Sequence, residues 1–207
     1  MKSLKMLGVV GLAVSMVGCV PDWARENETG ILMEIAGIEG RPGVEGIDDG
    51  AILISDVTPV FNDDALVTVN VYRKNPTVSA TSALEHVRLE SYQVRFFRSD
   101  GHNVEGVDVP HRITGPLNSV RFHTPTDTGE AEVEAVITVV RHQAKEEPPL
   151  VNLRSFLISS TTGLPLQSGQ GIITTIAEIT VYARQVTTGE PLSATGRFQV
   201  TFANFAN

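Results

Sequence analysis

Glu132-Val133-Glu134-Ala135-Val136-Ile137-Thr138-Val139-Val140 decides the fold class, because its polarity alternates residue by residue. A period of two sends Val133, Ala135, Ile137 and Val139 to one face and Glu132, Glu134 and Thr138 to the other. That is the signature of a half-buried strand with one face on a core. The same alternation appears at Leu66–Tyr72, where Val67, Val69 and Val71 oppose Thr68, Asn70 and Tyr72. It returns at Ile173–Ala183, with Ile173, Thr175, Ala177, Ile179 and Val181 on one side and Thr174, Ile176, Glu178, Thr180 and Tyr182 on the other. Near the end, Phe198, Val200 and Phe202 alternate with Gln199, Thr201 and Ala203. Val87–Arg98 is a strand whose phase slips, since Val87 and Leu89 share one parity and Tyr92, Val94 and Phe96 the other. One extra residue between Glu90 and Tyr92, a β-bulge, accounts for the slip.

Weaker strands are expected at Ala51–Val57 and Ser119–His123, and Ile31–Ile38 is either a first strand or a segment packed beneath the domain. Pro148-Pro149 blocks both helix and central strand, so Leu150–Ile158 reads as an edge strand or a short helical turn. Between the runs lie turn-rich clusters at Asn62-Asp63-Asp64, Ser99-Asp100-Gly101, Thr126–Gly129 and Thr187–Pro191. No long 3.6-residue pattern follows Ala51, which argues against βαβ units. The expected fold is all-β: an antiparallel, immunoglobulin-like β-sandwich of seven to nine strands, with a closed barrel as the alternative. The cysteine pair and core tryptophan of antibody domains are absent, the one tryptophan being Trp23.

The first eighteen residues read as an export signal, with Lys2 and Lys5 ahead of the apolar run Met6–Val14, which is too short to span a bilayer as a helix. Met16-Val17-Gly18-Cys19 resembles the bacterial lipobox, with methionine where leucine is usual. The resemblance implies cleavage before Cys19 and acylation of its thiol. Val20 stands where aspartate would favour retention at the inner membrane in that pattern, which implies the outer membrane. The expected organisation is a signal peptide over 1–18, a lipid-anchored tether and lead-in over 19–50, and the β-sandwich domain over 51–207.

Cys19 is the only cysteine among 207 residues. Once acylated it leaves no thiol for a disulfide, zinc–thiolate site, haem attachment or thiol catalysis, so the domain must hold through its core. The whole chain carries a formal charge of −8. Loss of Lys2 and Lys5 leaves 14 basic against 24 acidic side chains, or −10. Such a surface is repelled by phosphate backbones, so no nucleic-acid partner is expected.

The oxygen-rich loops Asp48-Asp49 and Asp63-Asp64 are calcium candidates by composition, without the spacing of a recognised calcium loop; exposed turn carboxylates also bond their own backbone. Of His86, His102, His111, His123 and His142, none shares a short ligand spacing, although His102, Asp108 and His111 lie on one long segment. That segment, Gly101–Leu117, is either a functional loop or a cover held down by Val107, Val109 and Ile113. There is no G-x-S-x-G elbow, and Gly163 and Ser168-Gly169-Gln170-Gly171 precede no phosphate-binding helix. No catalytic residue, cofactor or metal is expected.

Ser99-Asp100-Gly101 with Gly106–Pro110, Ile179–Tyr182 through Thr195–Phe198, and Val200–Phe205 resemble a group of uncharacterised bacterial lipoproteins. The resemblance covers about the last two-thirds of the chain and implies an exported sandwich without supplying an activity. The expected function is a membrane-anchored, non-catalytic domain that binds or scaffolds another cell-envelope component. The alternatives are a carbohydrate-binding module using Tyr92, Phe97 and Tyr182, and a hydrolytic enzyme.

Overall fold

The computed structural model describes residues 31–43, 49–58, 60–73, 86–121, 130–159, 161–164, 171–186 and 188–206. The signal segment, Cys19, Trp23, Asp48 and His123 lie outside the described residues. The strands are β1 (Ile31–Arg41), β2 (Ile52–Asp56), β3 (Asp63–Arg73), β4 (Val87–Phe97), β5 (Ile113–Arg121), β6 (Glu130–Val140), β7 (Leu157–Ser159), β8 (Ile172–Gln185) and β9 (Pro191–Ala206). One helical turn, α1 (His142–Lys145), and a 3-10 helix over Leu150–Ser155 follow β6.

Two sheets face each other, one ordered β1-β3-β6 and the other β2-β9-β8-β4-β5. This is an all-β sandwich and not a barrel, with β3 and β6 in one layer and β4, β8 and β9 in the other. Val67, Val69, Val133, Ile137, Val94, Ile179, Val200 and Phe202 fill the space between the layers. Phe96 meets Phe202 edge-on, with centroids 5.9 Å apart.

The inward residues of β3, β6 and β8 are those that the alternation selects. In β4, Glu90 is skipped in pairing with both β5 and β8, and the buried set switches from Val87 and Leu89 to Tyr92, Val94 and Phe96. The expected bulge is therefore present. β1 carries a similar slip between Ile35 and Gly37.

Three features depart from the sequence reading. β1 is the first strand that Ile31–Ile38 offered as one of two readings, but it pairs with β3 along its length and buries Ile31 ahead of the domain start expected at Ala51. β5 begins at Ile113 and not Ser119, absorbing part of the expected loop. Gly115-Pro116 looks like a breaker, but β5 is an edge strand and proline is tolerated where no ladder hydrogen bond is needed. Finally, the pairing is mixed, because β2 and β7 both run parallel to β9. The 3-10 helix is fastened across this region: Arg154 Nε donates to the Val57 carbonyl at 3.1 Å, and Asn204 Nδ2 donates to the Arg154 carbonyl at 2.6 Å.

A buried ion pair fixes α1. Lys145 Nζ lies 3.0 Å from Asp63 Oδ2, and both side chains are completely buried. Ser55 Oγ donates to the same oxygen at 2.6 Å, while the Gly43 amide donates to Oδ1 at 2.9 Å. Only glycine fits at position 43, since a Cβ there would lie 2.2 Å from the Asn62 carbonyl oxygen. Removing one member of such a pair strands the other charge away from water. Lys145→Met is therefore expected to cost about 3–5 kcal/mol in urea unfolding, whereas Arg197→Ala, at the solvent-facing Arg197–Glu178 pair, costs about 1 kcal/mol or less. Equal losses would show that burial of the Asp63 charge is not what makes the pair matter.

Candidate binding cleft

β5 and β6 are the free edges of the two sheets on the same side of the sandwich, with α1 leading away from the end of β6. Between them opens a cleft of about 590 Å³, whose walls include His111, Arg112, Thr114, Arg141, His142 and Glu147. Side chains bridge the two edges at its floor. Arg141 Nη2 donates to the Thr114 carbonyl at 2.8 Å, and the Tyr92 hydroxyl accepts from the Thr138 amide at 3.3 Å. Each bridge satisfies an edge-strand group that would otherwise be open to pairing.

The ion pair beneath α1 positions this wall. Asn62, next to Asp63, accepts the His142 backbone N–H at 2.9 Å and lies 3.3 Å from its Nδ1. The acceptor atom is the amide oxygen, because it already takes a backbone N–H. An oxygen in that position accepts from Nδ1, which fixes the ring against Asn62. Arg112 is held by Glu105 at 2.9 Å, and its hydrogen bond and charge hold the Glu105 carboxyl below the ordinary value. Among the described residues Arg141 has no carboxylate within ion-pair distance, although Glu147 lines the same cleft.

The sequence candidates fall in different places. Asp49 lies 3.7 Å from Arg41 in an exposed ion pair. Asp63 is not in a solvated turn but buried, with one oxygen facing an ammonium and a hydroxyl and the other an amide. Both oxygens lie against these internal groups and not in a solvent-facing loop. His102 Nδ1 approaches Asp108 Oδ1 at 3.8 Å, but His111 turns instead over Gly106, where a Cβ would meet its Nε2 at 2.5 Å. Among the described residues no three His, Cys, Asp or Glu side chains are grouped to hold a metal.

The remaining loop, Arg98–Arg112, is tied to itself. Asp100 accepts from Arg98 and from the His102 amide, and these bonds lower its carboxyl from the usual value. Val109 is buried beneath the loop while Val107 stays 64% exposed, so the cover is held by Val109 and Ile113 and not by Val107.

The three aromatics of the carbohydrate reading do not form a platform. Tyr92 is buried, Phe97 lies under Arg95 at 5.0 Å, and only Tyr182 is exposed. Tyr182 aligns with Ser91 and Phe97 with Ile176, which separates the two rings by about 20 Å along the sheet. Nor does any described hydroxyl lie within hydrogen-bonding distance of His111 or His142 in the way a nucleophile and its base require. The sequence offered His142 only as an isolated histidine, and His111 only in company with His102 and Asp108 on one long segment. Arg141 carried no signal, since its role depends on two strand edges meeting.

No family model matches the chain, and no curated protein matches it.

Gly115 leaves room for the Tyr92 ring, which a Cβ there would approach to 2.5 Å. Gly115→Val is expected to displace Tyr92 from the Thr138 amide and to cost about 1–3 kcal/mol by overpacking. The urea midpoint reads this, and an unchanged midpoint would mean that β5 is free to move away from β4.

Proposed function

We propose that this chain is a lipid-tethered, non-catalytic binding module of the bacterial envelope, held at the outer membrane through Cys19, with the cleft between β5 and α1 as its contact site. The observation that carries the binding half of this reading is the cleft itself. It is concave, polar, braced on strand edges, and lined by Arg141, His142 and an Arg112 held by Glu105. Such groups recognise a partner by geometry, and the lack of a nucleophile–base pair on its walls favours recognition over reaction. The tether half rests on the Met16-Val17-Gly18-Cys19 tetrad and on the placement of the only cysteine within it. In this reading acyl chains on Cys19 are the anchor, and each buried methylene adds about 0.8 kcal/mol; no described helix is long and apolar enough to cross a membrane.

Two measurements test it. Cys19→Ala is expected to move the chain from the detergent-extracted membrane fraction to the aqueous one, and a variant that stays with the membrane would remove the lipid anchor. Affinity capture from solubilised membranes is expected to recover a partner in fixed stoichiometry, and Arg141→Ala to release it. Repeated recovery of the chain alone would count against a binding role.

A further inference from the structure

The geometry points to a covalent cross-link between Lys145 and Asp63, an amide formed by condensation of the buried ammonium with the buried carboxylate. Four observations meet here. Lys145 Nζ lies 3.0 Å from Asp63 Oδ2 with both side chains inaccessible to water. Despite that distance, Nζ is not aligned with Oδ2 as a hydrogen-bond donor, and among the described residues it has no other acceptor. Adding a C–O bond of about 1.2 Å places Nζ no more than about 4.2 Å from Cγ, an upper bound that leaves an attacking pair's separation of about 3–3.5 Å within reach. The two oxygens are also held differently: Oδ1 accepts the Gly43 amide, while Oδ2 accepts the Ser55 hydroxyl.

That asymmetry suits acyl transfer. One proton passes from Nζ to Oδ2, which removes two charges from an environment where each is expensive. The resulting amine adds to Cγ, and the Gly43 N–H steadies the charge that gathers on Oδ1. A second proton moves from the nitrogen to Oδ2, which the Ser55 hydroxyl holds by its hydrogen bond, the Cγ–Oδ2 bond breaks, and Oδ2 leaves as water. The nitrogen keeps its third hydrogen as an amide N–H. No oxidant, cofactor or second protein enters the balance. The released water passes to solvent, and keeping bulk water out of the buried site favours condensation over hydrolysis.

The link joins β3 to α1 across the chain, a constraint of the kind a disulfide supplies elsewhere by limiting the unfolded ensemble. The sequence has no cysteine beyond Cys19 from which to build one. This inference rests on the buried end of the sandwich and is independent of the proposed partner and of the lipid.

Protease mapping of the full chain, purified from membranes and denatured before digestion, tests it. The expected result is a branched peptide containing both Lys145 and Asp63, lighter than its two parts by one water, with tryptic cleavage after Lys145 lost. Lys145→Arg and Asp63→Ala are each expected to abolish the branch, and Ser55→Ala to slow its appearance after refolding. Linear peptides cut normally after Lys145 in the unaltered chain would overturn the proposal. A branch that persists in Asp63→Ala would overturn it equally. Because the unaltered chain alone decides the first outcome, a variant that fails to fold leaves the test intact.

Discussion

Asp63 sits buried at the first position of β3, and the end of the sandwich is organised around its charge. A lone carboxylate there would be expensive, so its oxygens draw in Lys145 from α1, Ser55 from β2 and the Gly43 amide from the β1–β2 connection. Three separate segments are thereby fixed at one point. The placement of α1 follows from this, and so does the wall of the cleft, because His142 and Arg141 lead directly into the anchored turn. Asn62 adds a second tie one residue away. A four-residue helix has little stability of its own, and this one is held in place by the buried lysine at its end.

The open side of the sandwich is handled by side chains and not by another strand. β5 and β6 present unpaired edges, a hazard that exposed strands usually meet with charge, proline or distortion. β5 carries Pro116, and the bulge at Glu90 lies opposite it in β4. Arg141 and Tyr92 then span the gap, each bonding an edge group on the facing strand. The same devices that blunt the edges line the cleft, so packing contributes to its shape. Gly115 is part of that arrangement, since only a residue without a side chain leaves space for the Tyr92 ring.

Much of the architecture was legible in the sequence because alternation is a local property. Val133 to Val139 and Ala177 to Val181 report burial on one sheet face wherever that sheet goes, and the parity change between Leu89 and Tyr92 revealed a bulge before any partner strand was known. β1 and the start of β5 were harder to read. Gly37 and Gly40 interrupt one and Gly115-Pro116 the other, and both are edge strands, which tolerate interruptions that a central strand would not. The parallel pairing of β2 with β9 was illegible for a different reason: it joins residues near the two ends of the domain, and no local pattern records it.

The sequence by itself determined that this is an all-β chain, where most strands run and which face of each is buried, because those depend on the chemistry of neighbours one and two positions apart. Only the tertiary structure decided that Asp63, one of a pair of acids in what reads as a solvated turn, is the buried partner of Lys145. It likewise decided that Arg141 and His142 stand across a cleft from His111. Charges separated along the chain act on each other through space, with a strength set by burial. Burial is a property of the assembled layers and is not carried by any residue alone.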